Sequence, residues 1–336
     1  MKKSTKNILI ASGAVAAGIA AVTAASCKVT KKLVRIALDR EQPKVPQKSG
    51  NRLSGSAGQA KQFEETLTAA AEALKNSECE KVEVTAYDGI NLIGHLRRCE
   101  NEKRLIIAMH GWRSSWTADF GAVSDFWHAN GCSVLYAEQR GQGESGGEYM
   151  GFGLTERYDC LEWVKWANEN GYAEIPIYLG GISMGAATVL MAAGLELPEN
   201  VHGIMADCGY TSPYAIWRHV VEENLHMPFG GINSAVADDI CKKKIQMGTK
   251  DYSSIEAMRE CRVPVLFIHG TDDHFVPIEM TYENYKACTA PKRLLVVPGA
   301  EHGMSYLVDK EAYEKAVKEF WEDFDGQIPK TGKEEN

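Results

Sequence analysis

Between residues 80 and 325 the chain alternates short, almost wholly apolar runs with longer stretches of helical spacing. Val82 and Val84, the turn Tyr87-Asp88-Gly89, then Ile90, Leu92 and Leu96 predict a β-hairpin with an Asp-Gly turn. Leu105-Ile106-Ile107-Ala108-Met109 predicts a buried strand, residues 117–129 a helix, and Val134-Leu135-Tyr136-Ala137 the next strand. Further strands are expected from Ile175 to Ile182, Val201 to Ala206, Val263 to Ile268 and Leu294 to Val297. Helical patterns lie between them at 155–169, 184–195, near 279–288 and over 309–324. Strands apolar on both faces and separated by helices imply a mostly parallel sheet covered on both sides, here led by an antiparallel hairpin. Residues 208–260 break the rhythm with a helical stretch around Trp217 and then Pro228-Phe229-Gly230-Gly231. That insertion is expected to form a small helical cap over the strand ends.

The two ends follow other patterns. Lys2, Lys3 and Lys6 precede an Ala-rich apolar run from Ile8 to Ser26, followed by Lys28, Lys31, Lys32 and Arg35. Nineteen residues at about 1.5 Å each just cross a hydrocarbon core of about 30 Å. The run fits an uncleaved membrane anchor, a secretory signal, or a lipoprotein signal ending at Cys27; Ala24-Ala25-Ser26 is a poor lipobox. Lysines on both flanks give no orientation. Residues 1–40 are therefore assigned as anchor or signal, and the protein as membrane-associated. The Pro-, Gly- and Ser-rich residues 41–62 are assigned as a linker, 63–326 as the main domain with its cap at about 208–260, and 327–336 as a polar tail. Phe63, Leu67, Ala70, Ala71 and Leu74 predict a short amphipathic helix ahead of the first strand. Cutting at residue 40 is expected to leave an active domain.

Charge sharpens this division. The 336 residues carry a formal net charge of -8, but residues 1–50 hold 10 Lys and Arg against 2 Asp and Glu, leaving 27 against 43 elsewhere. An acidic body argues against nucleic-acid binding, which needs a basic face for phosphate. The nine cysteines are scattered without a C-x-x-C pair or Cys/His knuckle, so neither a zinc site nor a disulfide framework is expected.

In an open parallel sheet, reactive groups gather at the carboxyl ends of the strands. The strand ending at Ile182 runs into Gly181-Ile182-Ser183-Met184-Gly185 and then the small-residue helix starting Ala186-Ala187. This is G-x-S-x-G in the strand–turn–helix setting that exposes a nucleophilic serine. The pattern alone arises by chance in about one such chain in ten. A second copy, Gly143-Glu144-Ser145-Gly146-Gly147, lacks that setting, and Ser145 is expected to be a loop serine. A serine needs a base and the base an orienting acid. His302 follows the last strand in Gly299-Ala300-Glu301-His302-Gly303, and Asp272 and Asp273 follow the strand before it. An oxyanion hole needs two donors; the N–H groups of Met184 and of Trp112, after Met109-His110-Gly111, are the candidates.

These residues resemble the α/β-hydrolase superfamily over about residues 80–325. The segment His269-Gly270-Thr271-Asp272-Asp273-His274-Phe275-Val276-Pro277 is similar to the family's H-G-x-x-D-x-x-V-P acid motif, which selects Asp273 over Asp272. Glu138-Gln139-Arg140-Gly141-Gln142-Gly143-Glu144-Ser145 is similar to its structural D-x-R-G-x-G-x-S turn, with Glu138 for Asp. More narrowly, the chain resembles bacterial membrane-anchored hydrolases of the serine-aminopeptidase-like (S33/S9-like) branch, which includes esterases and monoacylglycerol lipases. Dehalogenases and epoxide hydrolases of this fold carry Asp at the position of Ser183. Some members place the acid after an earlier strand, which makes Asp207 the rival to Asp273.

The resemblance implies an α/β-hydrolase fold and a serine hydrolase cleaving carboxylic esters through an acyl-enzyme. Ser183, His302 and Asp273 form the expected triad, with no metal or organic cofactor required. The expected partner is a small ester substrate, lipid or peptide in variant readings. Trp217, Leu225, Met227 and Phe229 of the cap are expected to line its apolar slot. The alternatives are a peptidase, with Glu222 and Glu223 as candidates to bind a peptide terminus, and a non-catalytic ligand-binding protein of the same fold.

Overall fold

The computed structural model describes residues 24–41 and 58–326. Eight strands form one sheet: β1 Glu80–Thr85, β2 Asn91–Arg97, β3 Arg104–Met109, β4 Cys132–Ala137, β5 Ile177–Ile182, β6 Val201–Asp207, β7 Val265–Gly270 and β8 Lys292–Val297. Their order is β1-β2-β4-β3-β5-β6-β7-β8. β1 and β2 pair as the hairpin, with Gly89 at φ 84° in its turn; β2 meets β4 antiparallel, and all later pairings are parallel.

The strands are apolar on both faces because both are covered. Leu105, Ile107 and Met109 of β3 join one core with Trp163 and Val164 of a helix at Glu156–Ala167 and Val189 of one at Met184–Ala192. Ile106 and Ala108 point the other way, into a core with Phe120 of the helix Trp116–Ala129 and Phe320 and Trp321 of Lys310–Phe324. The expected amphipathic helix is present as Glu64–Lys75 and buries Leu74 in this second core.

A third apolar cluster lies over the carboxyl ends of the strands. Chain order then gives α1 at 24–38, α2 Glu64–Lys75, α3 Trp116–Ala129, α4 Glu156–Ala167, α5 Met184–Ala192, α6 Pro213–His219, α7 Ile232–Ile245, α8 Ser254–Glu260, α9 Ile278–Ala287 and α10 Lys310–Phe324. The cluster joins α1, through Val34 and Leu38, to α6 and α7. Within the 208–260 insertion Met258 of α8 belongs to the main core, while Met247 and Tyr252 pack on the third cluster.

Little of the N-terminal assignment falls on described residues. Of the apolar run Ile8–Ser26 only residues 24–26 are described; most of the assigned linker and the whole tail lie outside the described residues. Among the described residues no helix is long and apolar enough to cross a membrane. Residues 24–38 are instead packed on the domain, with Val34, Ile36 and Leu38 buried. Six cysteines are buried and all nine are free thiols.

Candidate active site

Ser183 occupies the tight turn between β5 and α5 at φ 55°, ψ -115°, a region that side-chain-bearing residues seldom enter and that costs about 1–3 kcal/mol. The neighbouring glycines make the turn possible. A Cβ at Gly181 would sit 2.3 Å from the Gly185 carbonyl oxygen, and one at Gly185 would sit 1.7 Å from that of Met109. Only bare backbone lets the start of α5 approach β5 and β3 so closely. The Ser183 N–H donates to the Asp207 carbonyl at 2.9 Å, which fixes the turn against β6.

His302 reaches Ser183 from the loop after β8, its Nε2 2.9 Å from Ser183 Oγ. Its Nδ1 lies 2.7 Å from Asp273 Oδ2. Asp273 Oδ1 accepts from the N–H groups of Phe275 and Val276 at 2.9 and 2.8 Å, and His269 Nε2 stands 3.2 Å from Oδ2. Burial alone would raise the Asp273 pKa; His302, His269 and these bonds outweigh it and hold the carboxyl well below its usual range. Burial likewise disfavours the His302 imidazolium, and Asp273 overrides it, raising the histidine well above 6.5. The structure thus brings Ser183, His302 and Asp273 into one hydrogen-bonded row.

The rival acids stand elsewhere. Asp207 accepts from Ser305 Oγ at 3.1 Å, and burial pushes it up to about 6; no bond joins it to His302. Asp272 is exposed and accepts from Thr271. Ser145 is fully buried: its Oγ donates to the Glu138 carbonyl at 2.6 Å and accepts from the Ile93 N–H at 2.8 Å. It ties the 138–147 turn to β2. In the same turn Arg140 pairs with Asp159 and Asp88.

Gly111 packs close enough to Ser183 that a Cβ there would meet the serine Cβ at 3.4 Å. Its N–H donates to Asp119 Oδ2 and that of Arg113 to Gln142 Oε1, both at 2.6 Å. The Trp112 N–H between them has no partner among the described residues. Met184 is the first residue of α5, where an amide has no intrahelical acceptor. Trp112 and Ser183 line the same cavity, and Met184 follows the serine directly in the chain.

Cys208, at φ 50° after β6, was not anticipated. Its Sγ, Asp273 and His302 offer ligand atoms within 4.8 Å of one another. Burial pushes the thiol up to about 11, and the imidazole and carboxylate already bond each other, so this donor set suits a triad better than a metal ion. Gln59, assigned to the linker, was missed as well. Its side chain donates to the Gly299 carbonyl at 2.6 Å and accepts from the Glu301 N–H at 2.9 Å, clamping the loop that carries His302.

A cavity of about 710 Å³ opens on Ser183 and His302, walled by Trp112, α2 residues such as Ala71 and Glu72, and Met304 and Leu307. The cap residues Trp217, Leu225, Met227 and Phe229 come together on a second, narrow apolar slot of about 60 Å³. Glu222 pairs with Arg218 at 2.8 Å, and neither it nor Glu223 lines either cavity.

The sequence profile of the prolyl oligopeptidase family (peptidase S9) matches residues 118–326. The uncharacterized protein YqkD of Bacillus subtilis is 28% identical over 190 residues, 56% of this chain and 62% of its own. This chain thus covers about three fifths of that relative's length. The uncharacterized protein YfhR of Escherichia coli K12 is 26% identical over 229 residues, 66% of this chain and 73% of its own. Two crystal forms of the Pyrococcus furiosus esterase Pf2001 superpose with TM-scores of 0.61 and 0.59 at 23% and 25% identity. Each covers 74% of this chain, and 92% and 94% of Pf2001 respectively. The fold is that of the α/β-hydrolases.

Proposed function

The chain belongs to the prolyl oligopeptidase family, and on that footing we propose that it is a serine hydrolase cleaving carboxylic esters through an acyl-enzyme. One observation carries this reading: the row Ser183–His302–Asp273, bonded at 2.9 and 2.7 Å, opens through Ser183 and His302 on a cavity that shares three lining residues with an apolar slot. Ser183 Oγ attacks the ester carbonyl while His302 Nε2 takes its proton. Asp273 keeps the Nδ1–H tautomer facing itself. The Trp112 and Met184 N–H groups receive the developing oxyanion. Collapse expels the alcohol with the proton from His302, leaving an acyl ester on Ser183. A water activated by the same imidazole then releases the acid.

The apolar character of the slot favours an ester with a hydrocarbon acyl group, and the related Pyrococcus protein is an esterase. The family name favours a second reading, a peptidase. The groups the sequence offers for a peptide terminus, Glu222 and Glu223, stand away from both cavities, while Glu72 and Lys75 line the large one, so the substrate panel decides between the two readings. Labelling with a fluorophosphonate, followed by a panel of aryl esters and aminoacyl amides, is the test. Stoichiometric labelling lost in Ser183→Ala, with esters outrunning amides, is expected. Amides outrunning every ester would replace the reading with the peptidase, and no labelling at all would leave a non-catalytic binding protein. Membrane association through the N-terminal segment is proposed as well. Lys28, Lys31 and Lys32 are exposed on the outer side of α1 beside the exposed Val29, a surface suited to anionic headgroups. Flotation of the full chain with anionic but not neutral vesicles is expected.

A further inference from the structure

The four cap residues form only half of the apolar slot. Its opposite wall is α1, through Leu33, Val34, Ile36 and Ala37. Ile36, Trp112 and Phe275 line both the slot and the large cavity, so the two adjoin across these three side chains. Phe275 also meets the His302 ring edge to face, centroids 4.9 Å apart. The slot therefore adjoins the cavity that opens on Ser183 and His302.

The α1 wall is held in place at both ends. Ser26 Oγ donates to Asn233 Oδ1 at 3.0 Å, joining its start to α7. At its other end Trp112 Nε1 donates to the Ala37 carbonyl at 2.9 Å. The Arg113 guanidinium donates to the carbonyls of Ile36 at 2.6 Å and Asp39 at 2.5 Å, a cation placed where the helix dipole is negative. A fixed wall sets a fixed length.

We infer that α1 is the second wall of the acyl site and that this N-terminal helix sets the acyl chain length the enzyme accepts. The inference rests on the ester-hydrolase reading above. On a scale where one water-sized group needs about 10–15 Å³, a slot of about 60 Å³ has room for about four to six such groups, which sets the scale of the acyl chain. The substrate class is thus esters of unbranched, medium-length acids. The polar alcohol portion occupies the wide cavity, where Glu72 and Lys75 stand at the wall.

The test uses the full chain and p-nitrophenyl esters from acetate to decanoate, with fluorophosphonate labelling to count competent serines. Wild type should peak between pentanoate and heptanoate. Ala37→Leu, which narrows the slot from the α1 side, should lower the heptanoate-to-acetate ratio of kcat/KM at least tenfold. Leu33→Ala should move the optimum up by two or more carbons, and it decides the matter should Ala37→Leu fail to fold by near-UV circular dichroism. Variants that label and hydrolyse esters with the wild-type profile would overturn the inference and leave the hydrolase reading standing. So would a response to alcohol length instead of acyl length. A wild type that neither labels nor turns over any ester would remove both.

Discussion

The indole N–H of Trp112 donates a hydrogen bond to the backbone carbonyl of Ala37, joining α1 to the strand exit beside Ser183. The residue expected to supply an oxyanion donor with its backbone thus uses its side chain to hold a helix assigned, from sequence, to an anchor. The active-site wall and the N-terminal segment are one assembly.

Deleting residues 1–41 should therefore destabilise the domain, against the expectation that it can be cut at residue 40. Val34, Ile36 and Leu38 are buried at 2%, 5% and 1% exposure. Burying such side chains contributes about 1.5–3 kcal/mol each, so about 4.5–9 kcal/mol together as an upper estimate. The truncated protein should melt about 10 °C or more below the full chain. Equal melting temperatures and equal activity would show that α1 is dispensable.

The two G-x-S-x-G serines should separate cleanly. Ser183→Ala and His302→Ala are each expected to reduce kcat by several orders of magnitude, and the double variant by little more, because the groups act as a unit. Ser145→Ala leaves the buried Ile93 N–H and Glu138 carbonyl short of a partner, which costs about 1–3 kcal/mol of stability. Activity per folded molecule should survive. Kinetics and denaturant melts on these four variants check this; loss of turnover in folded Ser145→Ala would contradict it.

Much of this was legible in the chain because period and punctuation agreed. Every expected strand is present within a few residues, and the strand–glycine–serine–glycine–helix succession places Ser183 by sterics alone. Asp273 and His302 are legible as residues at strand exits, while their pairing is a matter of loop paths the sequence does not display. What was missed depends on contacts distant in sequence. Gln59 bonds a loop some 240 residues away. The face of α2 that walls the cavity shows only as one side of an amphipathic helix. α1 did carry a signal: Thr30, Val34 and Leu38 are buried at four-residue spacing, with Lys28, Lys31, Lys32 and Arg35 exposed. Next to an apolar run, that basic face reads as an anchor's flank.

Asp273→Asn should reduce kcat by about 10⁴-fold, because an amide presents the wrong partner to His302 Nδ1. Asp207→Asn should cost much less turnover. Its carboxyl accepts from Ser305 Oγ, a bond an amide oxygen can also accept, and it makes no hydrogen bond to His302. Steady-state kinetics on both variants, with folding checked by circular dichroism, would reverse the assignment of the acid if Asp207→Asn proved the more damaging.

The pH profile should sit on the alkaline side of an ordinary histidine. Burial disfavours the imidazolium of His302, yet the Asp273 carboxylate at 2.7 Å outweighs that and raises its pKa well above 6.5. A general base must be neutral, so kcat/KM should climb as the imidazolium loses its proton, with a midpoint above 6.5. The sign for stability is the opposite. A raised histidine pKa contributes stability that is fully present below the unfolded value near 6.5 and is lost as pH rises through the folded value. The lowered Asp273 contributes stability present above about 4 and lost as pH falls through its folded value. Activity is therefore gained in the range where the imidazolium's share of stability is given up. Replacing Asp273 by Asn removes the carboxylate that raises His302, so the residual activity of that variant should titrate at a lower pH than wild type. Profiles of kcat/KM from about pH 5 to 9.5, with chemistry shown to limit the rate, measure both. A wild-type midpoint at or below 6.5, or one that Asp273→Asn leaves in place, would mean that the carboxylate does not govern the base.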